Sequence, residues 1–383
     1  LGSAATVTGP DADEYVATTG TGMMQKEVTA DATFLFPVGD AVEYSPISSN
    51  YSGSGYAAAN IRVKANDLTH PNKPADATEY ISRYWDVNAT GITGYSNTLT
   101  GTYVPADLTL GAGGTAAQVK GAVYDGTEWS YAGASSGTNT ATGTTTDAAA
   151  DFTGTNFFGK TDLIVYLQGA YNTSTGVMTT TLPANATIEP LMFNSPYPDA
   201  PAMVTDIPAG VTDWVKLEFR DVNNPLTVLG KASAFVKNNG AIVGLDGTSL
   251  PVIKNGNPIS IVAVFHRNHL PIRTTNAGLD VLNPVLHNFS TGLGQAFDSP
   301  GNSSNDAMIN MGNTGVYGLF RGNASGDNNI NAVDLAQVKS ASNPSQSNVY
   351  LKFDVNLDGN VNAVDLAQTK SASNPSKSAH INN

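Results

Sequence analysis

The sequence predicts a mainly β protein: two tandem antiparallel β-sandwich domains followed by a small α-helical module. Three observations lead there. Before residue 330, apolar residues come in short runs rich in Val, Ile, Tyr, Trp and Thr, each bounded by Gly, Pro, Asn or Asp, as strands between turns are. Over the same span the 3.6-residue spacing of an amphipathic helix is hard to find. Near the end a unit is duplicated, with NAVDLAQ and KSASNP each occurring twice, 31 residues apart. The expected divisions are an arm at 1–24, domains at 25–155 and 156–321, and the duplicated module at 322–383.

Residues 1–24 are rich in Gly, Thr, Ala and Asp without periodicity and read as an extended arm or first edge strand. Lys26–Gly39 then gathers Phe34, Leu35, Phe36 and Val38 into one apolar burst closed by a turn. Further strand candidates are Ala58–Ala65, Glu79–Asn88, Asn97–Val104, Gln118–Tyr124 and Thr127–Tyr131. Residues 132–155 have almost no large apolar side chains and are expected to be a linker closing the first domain. The second domain starts with Thr161–Gly169 and continues through Asp213–Val222, Ala232–Lys237 and Ser260–His266. In its second segment Val215, Leu217 and Phe219 alternate with Lys216, Glu218 and Arg220, which predicts a half-buried strand. Residues 290–321, rich in Gly, Asn and Ser, are expected to bridge to the module.

The duplicated unit carries the clearest chemistry. Aligned on Asp365, its second copy places Asp354, Asn356, Asp358, Asn360, Asn362 and Asp365 at positions 1, 3, 5, 7, 9 and 12, with Gly359 at position 6. This is the oxygen-ligand spacing of a calcium loop, where position 6 needs a sharp turn and position 7 gives its backbone carbonyl. The first copy presents Asn323, Ser325, Asp327, Asn329, Asn331 and Asp334, with Asn328 at position 6, a residue that also tolerates a left-handed backbone. Two calcium ions are therefore expected. The second loop, with more carboxylates, is expected to be the tighter. After each loop a short polar helix is expected, ending at Asn-Pro because proline cannot continue it.

Position 12 is Asp in both copies, no helical pattern precedes either loop, and Val349, Leu351 and Phe353 alternate as in a strand. A loop followed by a single helix, then duplicated, resembles the dockerin family over about the last 60 residues. The resemblance implies docking onto cohesins through loop positions 10 and 11. Polar residues are typical of the family there, and this chain has Ala332–Val333 and Ala363–Val364. A second resemblance runs through YVATTGTGMMQKEVTADATFLFPVGDAVEYSPI, RYWDV, LIVYLQGAYN, TDWVKLEFRD and VFHRNHLPIRTT in that order. Together they are similar to the C-terminal part of large secreted, adhesin-like surface proteins of the Bacteroidetes. That implies secretion and a structural or adhesive role, with no catalytic residues to carry over.

Composition narrows the functions further. A net charge of −13 argues against nucleic acid, whose binding needs a basic patch, and against an anionic membrane surface. With no cysteine there is neither a disulfide framework nor a thiolate metal site. The longest apolar run, Ile259–Phe265, falls far short of the ~20 residues of a spanning helix. No charged-then-apolar leader opens the chain, and Leu1 reads as a mature or excised terminus.

Three motif matches lack the context their chemistry needs. Gly154–Thr161 fits a phosphate loop, but the sequence after it reads as a strand where a helix is required. Gly133–Gly137 fits a nucleophile elbow at Ser135 but lies in the expected linker. His266 and His269 would project to opposite faces of a strand; a hydrogen-bonded pair steadying a turn before Pro271 is the expected role. Tyr80, Tyr84, Trp85, Trp129, Tyr131 and Trp214 are core candidates, an exposed sugar-stacking row being the alternative.

The expectation from sequence is thus a secreted or cell-surface structural protein without enzymatic activity. It would be a subunit of an extracellular fibre, sheath or adhesive layer, self-associating through its arm or a β-edge, with calcium rigidifying its end. The alternative is a non-catalytic carbohydrate-binding accessory module of a polysaccharide-degrading system. Surface glycans are a further candidate partner.

Overall fold

The computed structural model describes residues 1–74, 77–111, 114–127, 129–131, 134–135, 139–156, 158–299, 307–373 and 376–381. The chain divides into two compact units, 1–157 and 158–383. Among the described residues no helix is long and apolar enough to cross a membrane.

The first unit contains two antiparallel sheets. In the eight-stranded one, Ala149–Asn156 lies between Tyr80–Ile81 and Tyr84–Thr93, followed by Gly55–Asn66 and Met24–Glu27; Val119–Tyr124 also pairs with Ala149–Asn156. The five-stranded one runs Ala134–Ser135, Thr140–Thr145, Ser96–Thr102, Ile47–Ser52, Ala32–Phe36. Alternate residues of both point into one shared core. Ile61, Val63, Trp85, Val87 and Phe152 come from the larger sheet, and Phe36, Ile47, Leu99 and Ala141 from the smaller. The sheets approach so closely that a Cβ on Gly101 would lie 2.5 Å from the Trp85 ring, and one on Gly121 2.1 Å from the Thr142 carbonyl oxygen.

Two expectations change here. The stretch read as a closing linker supplies the strands Thr140–Thr145 and Ala149–Asn156, the latter pairing with several strands of the larger sheet. Residues 132–133 and 136–138 of that stretch lie outside the described residues. The arm is folded onto its own unit. The Leu1 amine donates to Gln25 O at 2.7 Å, Lys26 Nζ to Gly2 O and Ser3 O at 2.6 Å, and Val16–Ala17 pairs in parallel with Val38–Gly39.

The second unit is built on one six-stranded antiparallel sheet with short two-stranded pieces around it, where a second two-sheet sandwich was expected. Val211–Arg220 runs between Val228–Lys237 and Ile259–His266. It is buried along almost its whole length, so the half-buried strand inferred from its alternation is in fact covered on both faces. Its charged residues enter the interior by pairing with each other and their neighbours: Arg220 with Glu218 at 2.7 Å, Lys216 with Glu218 at 3.1 Å. Trp214, Val215, Leu217 and Phe219 are fully buried.

The duplicated module belongs to this second unit and carries two ten-residue helices, Ala332–Ala341 and Ala363–Ala372. The turn His266–His269 joins it to the sheet. Arg267 Nη1 donates to Leu351 O, Asn268 Nδ2 to Asp354 O at 2.6 Å, and Asn268 O accepts from the backbone N–H groups of Gly322 and Asn323. Below that turn lies buried Asp213, which accepts from Arg267 Nε at 3.0 Å and Tyr350 Oη at 2.5 Å and pairs with His266 Nε2 at 3.1 Å.

Candidate metal centre

The two loops share one backbone. Positions 4 and 6 are left-handed in each: Gly326 (φ 80°) and Asn328 (φ 65°) in the first, Leu357 (φ 58°) and Gly359 (φ 83°) in the second. The sharp turn expected at position 6 is thus made by Asn in one copy and Gly in the other. Leu357 adopts a conformation that costs a non-glycine residue about 1–2 kcal/mol, and its fully buried side chain offsets that cost.

Positions 9 and 12 close each loop onto its helix. Asn331 Oδ1 accepts from Val333 N at 2.7 Å while Asp334 Oδ2 accepts from Asn331 N at 2.9 Å. Asn362 and Asp365 repeat this pattern at 2.7 and 2.9 Å. Each pair of expected ligands therefore forms a capping box that satisfies otherwise orphaned helix N–H groups. The remaining oxygen of the position-12 carboxylate turns back into the loop, where Asp334 Oδ1 accepts from Ser325 N and Oγ at 2.9 and 2.8 Å, and Asp365 Oδ1 from Val355 N at 2.9 Å. Asp354 accepts from Asp358 N at 3.1 Å and Gly359 N at 2.9 Å. The structure thus gathers the predicted residues of each copy around one loop.

The donor set suits a hard divalent cation, being carboxylate, amide and hydroxyl oxygens. Asn323, at position 1 of the first loop, is 3% exposed, and its Oδ1 has no hydrogen-bond partner among the described residues. Burial pushes the Asp354 carboxyl up to about 7, with nearby Asp365 and Asp358 adding to the rise, and burial raises Asp365 as well. Buried carboxylates opposed by too little positive charge are what a calcium ion would stabilise.

The copies also pair symmetrically. Asn329–Ile330 of the first loop bonds to Lys377–Ser378 after the second helix, and Asn360–Val361 of the second loop to Gln346–Ser347 after the first. Each partner is the 31-residue equivalent of the other, so the repeat closes on itself. Positions 10 and 11 stand outside this closure, with Val333 50% and Val364 48% exposed.

A second acidic group escaped sequence analysis. Carboxylate oxygens of Asp40, Glu43 and Asp67 lie within 4.8 Å of one another in the first unit. Fully buried Arg83 occupies their centre, at 2.7 Å from Asp40, 2.6 Å from Glu43 and 3.2 Å from Asp67, with Asp107 at 2.8 Å from its Nε. The cluster already holds a cation, and its members are too scattered in sequence to have been associated beforehand.

The discarded motifs stay apart from any catalytic geometry. Gly154 ends within the strand Ala149–Asn156 and Lys160 lies in the strand Phe158–Lys160, so no helix follows the phosphate-loop match. Ser135 sits in a two-residue strand. His266 and His269 do meet, Nδ1 to Nδ1 at 3.0 Å, because they flank a two-residue hairpin turn and are directly opposed in register. This corrects the expectation of opposite faces. Burial lowers both imidazoles and holds them neutral, although Asp213 favours the charged form of His266. Of the aromatics, Trp85 and Trp214 are core, Tyr131 is buried, and Tyr80, Tyr84 and Trp129 are half-buried.

Residues 324–372 match the Dockerin type I domain. No curated protein matches the chain. Among solved structures it is similar to a type II cohesin–X–dockerin complex from Acetivibrio cellulolyticus, an N-terminal interface mutant. The two are 13% identical, the match covers 56% of this chain and 92% of that one, and the TM-score is 0.26. The expected self-association through the N-terminal arm or a β-edge is corrected by the arm itself, which is already bound to its own unit.

Proposed function

Because residues 324–372 match the Dockerin type I domain, we propose that the chain is a non-catalytic, carbohydrate-binding accessory subunit of an extracellular polysaccharide-degrading assembly. Its C-terminal module binds two calcium ions and docks onto a cohesin-bearing partner. The observation that carries the reading is the pair of equivalent loops. Each offers oxygen ligands in calcium-loop order, on a backbone left-handed at the same two positions. Asp354, Asn356, Asp358, Asn360, Asn362 and Asp365 hold one ion; Asn323, Ser325, Asp327, Asn329, Asn331 and Asp334 hold the other. Three carboxylates against two make the second loop the tighter.

Calcium orders the loops, and the ordered loops aim the helix starts. Ala332–Val333 and Ala363–Val364 are then presented as two equivalent apolar contacts, so the complementary cohesin face is apolar where those positions meet it. The fibre or adhesive-layer role ranks second, because the arm on which it rested is engaged within its own unit. The test is capture of the full chain on a panel of immobilised cohesins. Capture in millimolar calcium and release by chelator are expected; no capture by any cohesin, or capture indifferent to chelator, overturns the reading.

A further inference from the structure

A cavity of about 600 Å³ lies in the second unit, between the six-stranded sheet and the duplicated module, within the size range of small-molecule sites. One wall is apolar, with Leu191, Pro196 and Tyr197. Lys216, Arg267 and Lys352 bring three cations to it. No carboxylate is found among the described residues lining it, in a chain with 32 acidic against 19 basic residues.

The three cations are not equivalent. Lys216 is held by Asp199 at 3.0 Å and Glu218 at 3.1 Å, so its charge is spent. Arg267 gives Nε to Asp213 and Nη1 to Leu351 O, and its guanidinium lies 4.5 Å from the centre of the Tyr350 ring. Its side chain is 5% exposed, and Nη2 has no hydrogen-bond partner among the described residues. A buried guanidinium N–H left unmatched is costly, and an anionic acceptor is its strongest remedy. Lys352 Nζ reaches the Ser325 carbonyl at 3.3 Å, a weak hold for an ammonium group.

We propose that this cavity binds an acidic saccharide. The carboxylate of a uronate lies between Arg267 and Lys352, and the apolar face of its ring rests on the Leu191–Pro196–Tyr197 wall. The cations specify the carboxylate, while the choice of a sugar to carry it rests on the accessory reading above. Asn323 and Asn328 of the first calcium loop also line the cavity, so loop order and saccharide affinity are coupled, reciprocally.

The test is calorimetric titration of the full chain in millimolar calcium with a trigalacturonate, its methyl ester and inorganic sulfate. Trigalacturonate binding is expected, with the neutral ester about tenfold weaker or worse. Lys352→Ala weakens trigalacturonate about fivefold or more and leaves cohesin capture unchanged. Equal binding of ester and acid, sulfate binding as tight as the sugar, no trigalacturonate binding, or an unaffected Lys352→Ala variant each overturns the proposal. Cohesin capture on the same preparation separates the two failures: capture with a silent titration sinks this site alone, and absent capture sinks the accessory reading.

Discussion

Asp213→Asn tests the joint between sheet and module. The Asp213 side chain has no exposed surface, and it faces Arg267, His266 and Tyr350 at 3.0, 3.1 and 2.5 Å. Burial pushes its carboxyl up, but Arg267, then His266 and Tyr350, outweigh this and hold it well below the usual range. Asparagine keeps the shape while removing the carboxylate hydrogen-bonded to a buried guanidinium. Breaking one side of such a pair costs about 3–5 kcal/mol. Denaturant unfolding of the full chain at pH 7 in calcium, followed through the second unit, should report that loss. Arg267→Met alone should cost a similar amount, and the double variant much less than the sum, since removing both charges leaves neither unpaired. An Asp213→Asn loss below about 1 kcal/mol, or additive losses in the double variant, would refute the reasoning.

Four further outcomes follow from the same structure. Gly359→Ala meets both a left-handed φ and a Cβ 2.4 Å from Ile188 Cδ1, whereas Gly326→Ala meets only the φ. The first should therefore lower the unfolding midpoint clearly more than the second, whose strain is about 1–2 kcal/mol. Asp365→Ala should abolish the tighter of two calcium steps in calorimetry and also cost about 1 kcal/mol through the lost capping box, with Asp334→Ala removing the weaker step. Arg83→Met leaves four carboxylates facing a vacated centre. It should destabilise the first unit by about 3–5 kcal/mol at pH 7, and part of the loss should return as acid neutralises Glu43, whose carboxyl burial already raises. His266 and His269 have lowered pKa values, so the folded state binds fewer protons than the unfolded; stability is full above about 6.5 and falls below it. In millimolar calcium, which would keep Asp354 and Asp365 ionised, the slope for the second unit should approach at most about 1.4 kcal/mol per pH unit for each histidine, and a flat profile from pH 7 to 5 would contradict it.

What the sequence disclosed follows the range of each interaction. The loops were legible because a calcium loop is local, its ligands lying within twelve residues at fixed spacing. The strands of the first unit were legible where alternation placed large apolar residues, as at Trp85 and Val87. Residues 139–156 were misread because their role there demands smallness. Threonine, alanine and glycine fill the strands where the sheets meet most closely, as Gly121 against Thr142 shows, and such composition reads as a linker. Val211–Arg220 was misjudged for the opposite reason. Its charged residues implied a solvent face, but Glu218, Arg220 and Lys216 neutralise one another beneath a covering layer that alternation cannot reveal.

The closure of the module was equally hidden, and it constrains how the ions act. Repetition announces two units but not which strand of one pairs with which loop of the other. Here the segment after the second helix completes the first loop, and the segment after the first helix completes the second. Each copy holds its own twelve ligand-bearing residues but takes its short ladder partner from the other, so an ion entering one loop would steady backbone supplied by the other. The turn at Asn268 then binds the module twice, through Asp354 O near the start of the second loop and through the N–H groups of Gly322 and Asn323 at the start of the first. Calcium in either loop would therefore act on the same joint that Asp213 supports from below. The module and the six-stranded sheet should gain stability together as calcium is added, and their hydrogen-exchange protection should rise in step. Separate calcium dependences for the two would show that the joint transmits nothing.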